Sequence, residues 1–458
     1  MPANYLSLPR TEIVVDAADD RGALELWRAA LGHGGINTLP LPDRVVDGIA
    51  RLSPRLIRIF LQEHFAVYPD QGRFDWSKLD PFMDALARTG AKVVAAICLK
   101  PKTLYPAVDM RIWRPTDWAE WQKVVFEVVR RYSVEKQIVT YWEVGNETDI
   151  GESGGCPYLI PDPADYAEYY TKTIAPVLQA FPQAKVGGPA ACWITSEPLP
   201  GLIRYCRETK TRLDFISWHL YHDDPARHAA GVRKAQELLA GFPGKRPEML
   251  VTEWNKGFDP VSVEDMAFAS RRAANVAAAI LATLEAGLDW SFYYHVWDQT
   301  FYRAPFAPFF SENGLELMEV HWNRIPHRFG LFGVNQGVRP QYFVYQMLSR
   351  MGESRLRVTG SDAALRLLAS RGEGKVSAFV TNFDLQRSRD LIVTVQFRRL
   401  SPGVKTLRVY RIDEARRWCR ETLELIPCEE REVDASSDFR CEVYCPADSV
   451  LLVELTDR

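Results

Sequence analysis

Short apolar runs alternate with longer amphipathic segments over most of the chain, from about Gly34 to Leu348. The runs are rich in β-branched and aromatic residues, which is typical of buried strands. The segments between them, such as KLDPFMDALARTG and DWAEWQKVVFEVVRRY, carry apolar residues at spacings of three and four, which predicts helices that bury one face. Eight strands are predicted, namely GGINT near Ile36, RLIRIF near Ile57, AKVVAAIC near Val94, IVTYWE near Tyr141, AKVGG near Val186, DFISW near Ile216, EMLVTE near Val251 and WSFYY near Phe292.

This strand and helix alternation predicts an α/β fold, a closed (β/α)8 TIM barrel. Parallel strands need crossover helices, and the eighth strand can pair with the first. After Pro340 the pattern changes. The segment YFVYQMLSRM still predicts a helix, but KVSAFVTNF, DLIVTVQF, TLRVYRI and SVLLVEL alternate with period two, which predicts an accessory antiparallel β-sandwich.

The early run TEIVVDA precedes the first barrel strand and is expected to pair with the sandwich. The predicted division of the chain is therefore an N-terminal strand at 1–17 that joins the sandwich, a barrel at 18–345 and the sandwich at 346–458.

Composition narrows the possible partners. The chain is 47% hydrophobic and 25% charged, and its 56 basic and 59 acidic side chains give a net charge of −3. These values indicate a soluble globular protein with no general attraction to nucleic acid or to a membrane surface. The amino terminus lacks the basic and apolar stretches of a secretory signal, so a cytoplasmic location is expected. The oligomeric state is left open.

Two strings carry the candidate chemistry: YWEVGNE, which ends at Glu147, and MLVTEWN, which contains Glu253. Each places a carboxylate at the end of a predicted buried strand, the fourth and the seventh, where barrel enzymes hold their reactive groups. Cleavage of an acetal needs one carboxyl that donates a proton and another that stays ionised. The pair therefore suggests a glycosidase, whereas a single strand-end glutamate would equally suit a structural pair with an arginine.

These strings resemble the retaining glycoside hydrolases of clan A, and within it family 39, which holds β-xylosidases and α-L-iduronidases. Asn146 and Glu147 resemble the clan's asparagine and acid/base pair, and Glu253 of VTEWN resembles its nucleophile. In RLIRIF, Arg58 stands where relatives carry an arginine beside the nucleophile. The segment HRFGLFGVNQGVRPQYFVYQML resembles the family's passage from the barrel into the sandwich.

The resemblance implies further substrate contacts. In DFISWHLY, His219 and Tyr221 stand where relatives carry a histidine and a tyrosine after the sixth strand. Trp297 stands where clan members carry an aromatic platform for the sugar, although a buried core tryptophan is the competing interpretation. Xylosidases of the family carry two adjacent glutamates after strand eight, but this chain has Asp298 and Gln299 as its polar candidates there.

The expected mechanism is a double displacement. Partial burial and the negative charge of Glu253 are expected to raise the pKa of Glu147, and Arg58 is expected to keep Glu253 anionic. Asn146 is expected to donate to the 2-hydroxyl of the sugar. Retention predicts a carboxyl separation of about 5 Å, against roughly 6.5 to 9.5 Å for inversion.

No cofactor and no metal are expected. His222, Asp223, Asp224 and His228 could be drawn as a metal site, but a solvated polar loop is the preferred interpretation. Cys441 and Cys445 lack a second cluster of metal ligands and are expected to pack in an edge strand.

The substrate is the least determined feature, because loops select the sugar. An exo-acting, β-xylosidase-like hydrolase is the favoured hypothesis. Lys100 and Arg328 could instead converge on a sugar carboxylate, as in the iduronidase branch, or remain a solvated lysine and an ion-paired arginine. An endo-acting polysaccharide hydrolase and a carbohydrate-binding barrel without catalysis are the remaining hypotheses.

Overall fold

The computed structural model describes residues 7–257, 269–360, 362–386, 388–416 and 422–458. Strand β1, Arg10–Ala23, lies in a second sheet, and the next eight strands are parallel and close into a barrel. The last barrel strand pairs with the first, which confirms the predicted (β/α)8 fold. The barrel strands are β2 (Ala29–Gly32), β3 (Leu56–Gln62), β4 (Lys92–Cys98), β5 (Val139–Val144), β6 (Lys185–Ala191), β7 (Phe215–Tyr221), β8 (Glu248–Asn255) and β9 (Trp290–Tyr294).

Helices follow the barrel strands and cover the barrel. Within the described ranges they are α1 (Asp43–Ala50), α2 (Leu79–Ala87), α3 (Trp118–Val129), α4 (Pro163–Ala180), α5 (Pro198–Thr209), α6 (Pro225–Leu239), α7 (Ser270–Glu285), α8 (Glu312–Glu319) and α9 (Pro340–Arg350). Asp117, Asp162 and Asp224 begin α3, α4 and α6, and each side chain accepts backbone N–H groups of the first turn. Short 3₁₀ segments lie at Leu26–Arg28, Glu63–Phe65 and Gly151–Gly154, and π-helical turns at Arg130–Glu135 and Val320–Arg324 extend α3 and α8.

The barrel interior is layered along the strands. Side chains alternate across a strand, so Leu56, Arg58 and Phe60 of β3 share the inward face, as do Tyr141 and Glu143 of β5. The layer near the amino ends of the strands is apolar, the next contains buried charges, and the layer at the carboxyl ends is aromatic. The apolar floor consists of Ala30, Leu56, Val94, Tyr141, Phe215, Leu250, Trp290 and Phe292.

The remaining strands form a separate nine-stranded sheet in the order β15-β14-β17-β12-β11-β10-β1-β13-β16. They are β10 (Ser354–Gly360), β11 (Leu365–Gly372), β12 (Lys375–Asn382), β13 (Leu391–Arg398), β14 (Gly403–Ile412), β15 (Glu429–Ala435), β16 (Phe439–Cys445) and β17 (Ser449–Asp457). All nine strands contribute to one apolar core. The predicted accessory domain is confirmed as a mostly antiparallel sheet, and TEIVVDA joins it as predicted. One pair differs, because β1 runs parallel to β13.

Helix α7 connects the barrel to this sheet. Arg271 at its start pairs with Asp448 at 2.8 Å, and the Thr381 hydroxyl of β12 donates to the Ala274 carbonyl at 3.1 Å. The predicted boundaries at residues 17 and 345 stay a prediction. Among the helices of the described ranges, none has both the length and the apolar character that crossing a bilayer requires.

The predicted position of the first barrel strand is wrong. The strand is Ala29–Gly32, and GGINT follows it as a turn. Gly34 and Gly35 have φ of 137° and 75°, which a regular strand does not contain. A Cβ on Gly34 would lie 2.0 Å from the ring of Phe60, so the turn passes directly against that ring.

Candidate active site

Glu147 and Glu253 meet at the carboxyl ends of the barrel strands. Glu147 is three residues beyond the end of β5, and Glu253 lies near the end of β8. A carboxylate oxygen of each, together with a ring nitrogen of His219, lies within 4.8 Å of the others. Both glutamates are buried, with 7% and 6% of their surface exposed. The spacing agrees with the value predicted for a retaining pair.

Arg58 lies beneath the pair and is fully buried. Its Nη1 donates to Glu253 Oε1 at 2.8 Å, and its Nη2 donates to Asn146 Oδ1 at 2.7 Å. Burial alone would lower the pKa of Arg58, but the carboxylates of Glu143 and Glu253 raise it above its ordinary value. The guanidinium is therefore a fixed positive charge that joins the ends of β3, β5 and β8.

Glu143 is a residue of the site that the sequence reasoning missed. Its Oε2 accepts from Arg58 Nε at 2.6 Å, its side chain is 0% exposed, and its Oε1 has no hydrogen-bond partner in the described part of the chain. Two buried carboxylates thus share one guanidinium. The inward register of β5 in YWEV was the available signal, since it points a charge into the barrel.

His219 and Tyr221 of β7 lie where the sequence placed them, beside the pair. His219 Nδ1 is 2.7 Å from Glu147 Oε1 and 3.7 Å from Glu253 Oε2. Burial lowers the pKa of His219, which favours the neutral ring. The Tyr221 hydroxyl donates to Glu253 Oε2. Glu253 therefore accepts on both oxygens, one from Arg58 and one from Tyr221.

The segment after β5 fixes the position of Glu147. Its φ is 44°, its backbone N–H donates to the Ala190 carbonyl at 2.9 Å, and Asn146 Nδ2 donates to the Gly154 carbonyl at 3.3 Å. A Cβ on Gly154 would lie 2.0 Å from Glu147 Oε2. Glycine at 154 is thus required for the carboxyl to occupy this position.

The two carboxyls differ in their electrostatic surroundings. Burial raises the pKa of Glu147 to about 8, and the negative charge of Asp149 adds to the rise. Burial was predicted as a cause, but the sequence reasoning named Glu253 as the second charge and missed Asp149. Burial also raises the pKa of Glu253, while His219 and Arg58 act in the opposite direction.

Trp297 packs in the hydrophobic core, which is the competing interpretation given for it, and its contact with a sugar stays a prediction. It belongs to the main hydrophobic core with Phe332, is 9% exposed, and its Nε1 donates to the Val334 carbonyl at 3.4 Å. The aromatic ring near the pair is Tyr294, whose edge meets the ring of Tyr221 at 6.4 Å. Tyr294 ends β9. It was missed because the resemblance to clan A was taken to place the aromatic platform at Trp297, three residues further along the chain.

Asp298 and Lys100 are occupied by other partners. The Asp298 carboxylate pairs with Arg339, lies 3.1 Å from His295 Nε2 and accepts from the Gly330 N–H at 2.8 Å. The Lys100 ammonium is buried, and it donates to the carbonyls of Asp109 and Pro157, both at 2.8 Å. Lys100 is therefore neither a solvated loop lysine nor directed at the carboxylate pair.

Arg328 is partly exposed in the segment between α8 and α9. Within the described ranges no acidic side chain pairs with it, whereas its backbone carbonyl accepts from Arg272 and Arg339. Arg328 is thus a partly exposed guanidinium that no acidic side chain of the described ranges neutralises.

Some possible metal ligands have local structural partners. Asp224 caps α6, His228 Nε2 lies 2.9 Å from the His222 carbonyl, and Asp223 accepts from the Gly257 N–H. Among the residues that the structure describes, the group with converging ligand atoms is Glu147, His219 and Glu253. The carboxylate oxygens of this group are also the atoms that a pair of carboxyls would use to hydrolyse a glycosidic bond.

Comparison with known proteins decides the family. The model of glycosyl hydrolases family 39 matches residues 51–418, which is most of the chain. The chain belongs to glycosyl hydrolase family 39. It is therefore a retaining glycoside hydrolase that acts on a carbohydrate, as the sequence predicted.

Relatives of this family 39 enzyme cover most of its length. A β-xylosidase of Geobacillus stearothermophilus is 22% identical in an alignment of 413 positions that covers 81% of this chain and 76% of that protein. The structure of the family 39 enzyme of Xanthomonas axonopodis pv. citri aligns with a TM-score of 0.76 at 18% identity and covers 100% of both chains. A bacterial orthologue of human α-L-iduronidase aligns with a TM-score of 0.71 at 16% identity, over 98% of this chain and 84% of that one. Both structures share the fold of this enzyme.

Glu143→Gln is expected to lower the pKa of Glu253, because it removes a buried negative charge that shares Arg58. With Glu253 as the nucleophile that the family resemblance implies, the acid limb of kcat/KM should therefore move to lower pH. The measurement is the pH profile of an aryl glycoside that the enzyme hydrolyses. Glu248→Gln is the control, since Glu248 lies on the same strand as Glu253, five residues away, and pairs with Lys185. An acid limb that stays in place or rises in Glu143→Gln would contradict the prediction.

Proposed function

We propose that this family 39 enzyme is an exo-acting β-xylosidase in which Glu253 is the nucleophile and Glu147 the acid/base. The observation that carries the proposal is the pair itself. The two carboxyls approach within 4.8 Å, yet Glu253 accepts hydrogen bonds from Arg58 and Tyr221, whereas burial raises the pKa of Glu147 to about 8. At neutral pH one carboxyl is thus suited to attack and the other to donate a proton.

In the first displacement, a carboxylate oxygen of Glu253 attacks the anomeric carbon while the bond to the leaving oxygen breaks. Glu147 gives its proton to that oxygen, which departs as an alcohol. Asn146 is held by Arg58 and Gly154, and its amide is placed to donate to the 2-hydroxyl as positive charge develops on the ring.

In the second displacement, Glu147 is ionised and acts as a base. It takes a proton from water, the water oxygen attacks the anomeric carbon, and the bond to Glu253 breaks. The anomeric configuration is retained, Glu147 ends protonated, and Glu253 ends as a carboxylate. His219 contacts both carboxyls through Nδ1 and is proposed to hold their relative position through both steps.

Two features support removal of a terminal pentose. Both carboxyls are buried, since their side chains are 9% and 8% exposed, and limited access of this kind favours a chain end over the middle of a polymer. The wall beside Arg58 is an aromatic cluster that includes Phe60, Tyr294 and Trp322. Such a wall has few partners for an exocyclic hydroxymethyl group, which a xylosyl residue lacks. The name of the Geobacillus relative agrees with this substrate.

A second candidate is a uronide such as an α-L-iduronide. It is favoured by Arg328, which no described acidic side chain neutralises, and by the fold shared with the iduronidase orthologue. The engagement of Lys100 with two carbonyls removes the other cation on which this candidate depends.

A 2-deoxy-2-fluoroxylosyl fluoride is expected to label Glu253, because the 2-fluorine slows both displacements while the good fluoride leaving group keeps the first one fast, so the glycosyl-enzyme accumulates. Mass spectrometry of the digested protein should find the sugar on the peptide that contains Glu253. Glu253→Gln should abolish labelling and lower kcat by ~10³-fold or more. Glu147→Gln is the matched control, since a fluoride leaving group needs no proton and labelling should persist. A label on another residue would refute the assignment.

Asp149→Asn is expected to lower the pKa of Glu147, because the negative charge of Asp149 raises it. Protonated Glu147 is lost as pH rises through its pKa of about 8, so the alkaline limb of kcat/KM should move to lower pH in the variant. The measurement is the pH profile with an aryl xyloside of poor leaving-group ability. Asp162→Asn, at the start of α4, is the control. An unchanged alkaline limb in Asp149→Asn would show that Asp149 does not raise the pKa of Glu147.

Replacement of Arg328 distinguishes the xyloside candidate from the uronide candidate. With aryl β-xyloside and aryl α-L-iduronide as substrates, the xyloside is expected to be hydrolysed faster, and Arg328→Ala should change the ratio of the two rates by less than about twofold, since a neutral sugar offers no carboxylate to pair with it. Arg324→Ala is the control, because Arg324 lies nearby but pairs with Glu316 at 2.6 Å. Iduronide turnover that falls more than about tenfold in Arg328→Ala alone would favour the uronide candidate, since such a loss is typical of a paired carboxylate.

A further inference from the structure

An exposed tryptophan lies in the loop after β6, the strand whose Ala190 carbonyl accepts from the Glu147 N–H. Trp193 is 56% exposed, and it alone among the tryptophans that the structure describes is exposed. In the described ranges no aromatic ring stacks on its indole and no cation lies over it. An exposed ring of this size at the mouth of a barrel is a surface that a ligand can cover.

Hydrogen bonds connect the segment that contains Trp193 to the segment that contains Glu147. The Ala190 carbonyl accepts from the Glu147 N–H at 2.9 Å, and the Cys192 N–H donates to the Asp149 carboxylate at 3.1 Å. Trp193 follows Ala190 by three residues, so its Cα lies within about 11 Å of the Ala190 Cα. A turn closes behind it, because the Ser196 N–H donates to the Trp193 carbonyl at 3.0 Å.

The side of the site that Glu147 serves is the leaving-group side. The acid/base must reach the glycosidic oxygen, so whatever is attached to that oxygen passes over the neighbouring surface on its way to solvent. Trp193 is the large apolar side chain in the stretch that contacts the Glu147 and Asp149 segment. Residues 192–196, CWITS, carry no charge, which suits a neutral ring.

We propose that the indole of Trp193 forms the leaving-group subsite and packs on the apolar face of a second, neutral pyranose. This inference rests on the proposed function, and it names the chemistry that the enzyme recognises beyond the bond it cleaves. Trp193 is a specificity-determining residue, since the chemical step on the first sugar does not involve it.

The test compares a substrate that has a sugar leaving group with one that has almost none. In Trp193→Ala the ratio of kcat/KM for xylobiose to kcat/KM for β-xylosyl fluoride is expected to fall about 5- to 10-fold, in keeping with the strength of aromatic packing. Trp193→Phe should keep most of the wild-type ratio, because a smaller ring still packs. Thr195→Ala, which alters an exposed neighbour in the same turn, should keep all of it.

The inference would be overturned if the xylobiose-to-fluoride ratio in Trp193→Ala stayed within about twofold of wild type, because loss of a stacking contact should lower it by more than that. It would also be overturned if the ratio fell equally in Thr195→Ala. A fall that is equally large for an aryl xyloside would overturn its pyranose part, because the ring would then accept any flat group. If the wild-type enzyme does not hydrolyse β-xylosyl fluoride, the proposed function fails and takes this inference with it. Normal fluoride hydrolysis with an unchanged ratio refutes the subsite alone.

Discussion

The buried guanidinium of Arg58 is the group on which the arrangement of the active site depends. It bonds Glu143 from the middle of β5, Asn146 from the loop after β5, and Glu253 from β8. A charge without water around it is stable only when partners surround it in good geometry. One side chain therefore fixes β3, β5 and β8 relative to one another, and the distance between the carboxyls of Glu147 and Glu253 follows from that arrangement.

Two residues of the same type have different surroundings, which suits them to the two tasks proposed for them. Both glutamates are buried, and burial favours the protonated form of each. Glu253 has Arg58 and Tyr221 on its oxygens, whereas Glu147 has Asp149 nearby and Gly154 pressed against it. The electrostatic asymmetry thus comes from Arg58 and Tyr221 on strands β3 and β7 and from Asp149 in the loop after β5.

Periodicity explains which parts of this structure the sequence could predict. Strands and helices with strong alternation, such as β8 and α9, lie where they were expected, and the barrel with its two strand-end glutamates follows from their order. The first strand was misplaced because AALG is short and the glycines of GGINT were taken as strand. Asp298 and Lys100 could not be judged from the sequence, because their partners Arg339 and the Pro157 carbonyl are distant in the chain. Glu143 was missed because a charge between apolar strand residues gives no sign of what it faces.

The apolar floor of the barrel also limits where water and ligands can enter and leave the site. Leu56, Tyr141, Phe215 and Trp290 are buried and fill the interior below the charged layer, so ligands reach the site from the carboxyl ends of the strands. Incoming water and the departing alcohol share the mouth at the carboxyl ends of the strands, and water enters after the alcohol has left. In the proposed mechanism, any other hydroxyl compound at this mouth competes with water for the sugar bound to Glu253, and its attack would form a new glycosidic bond.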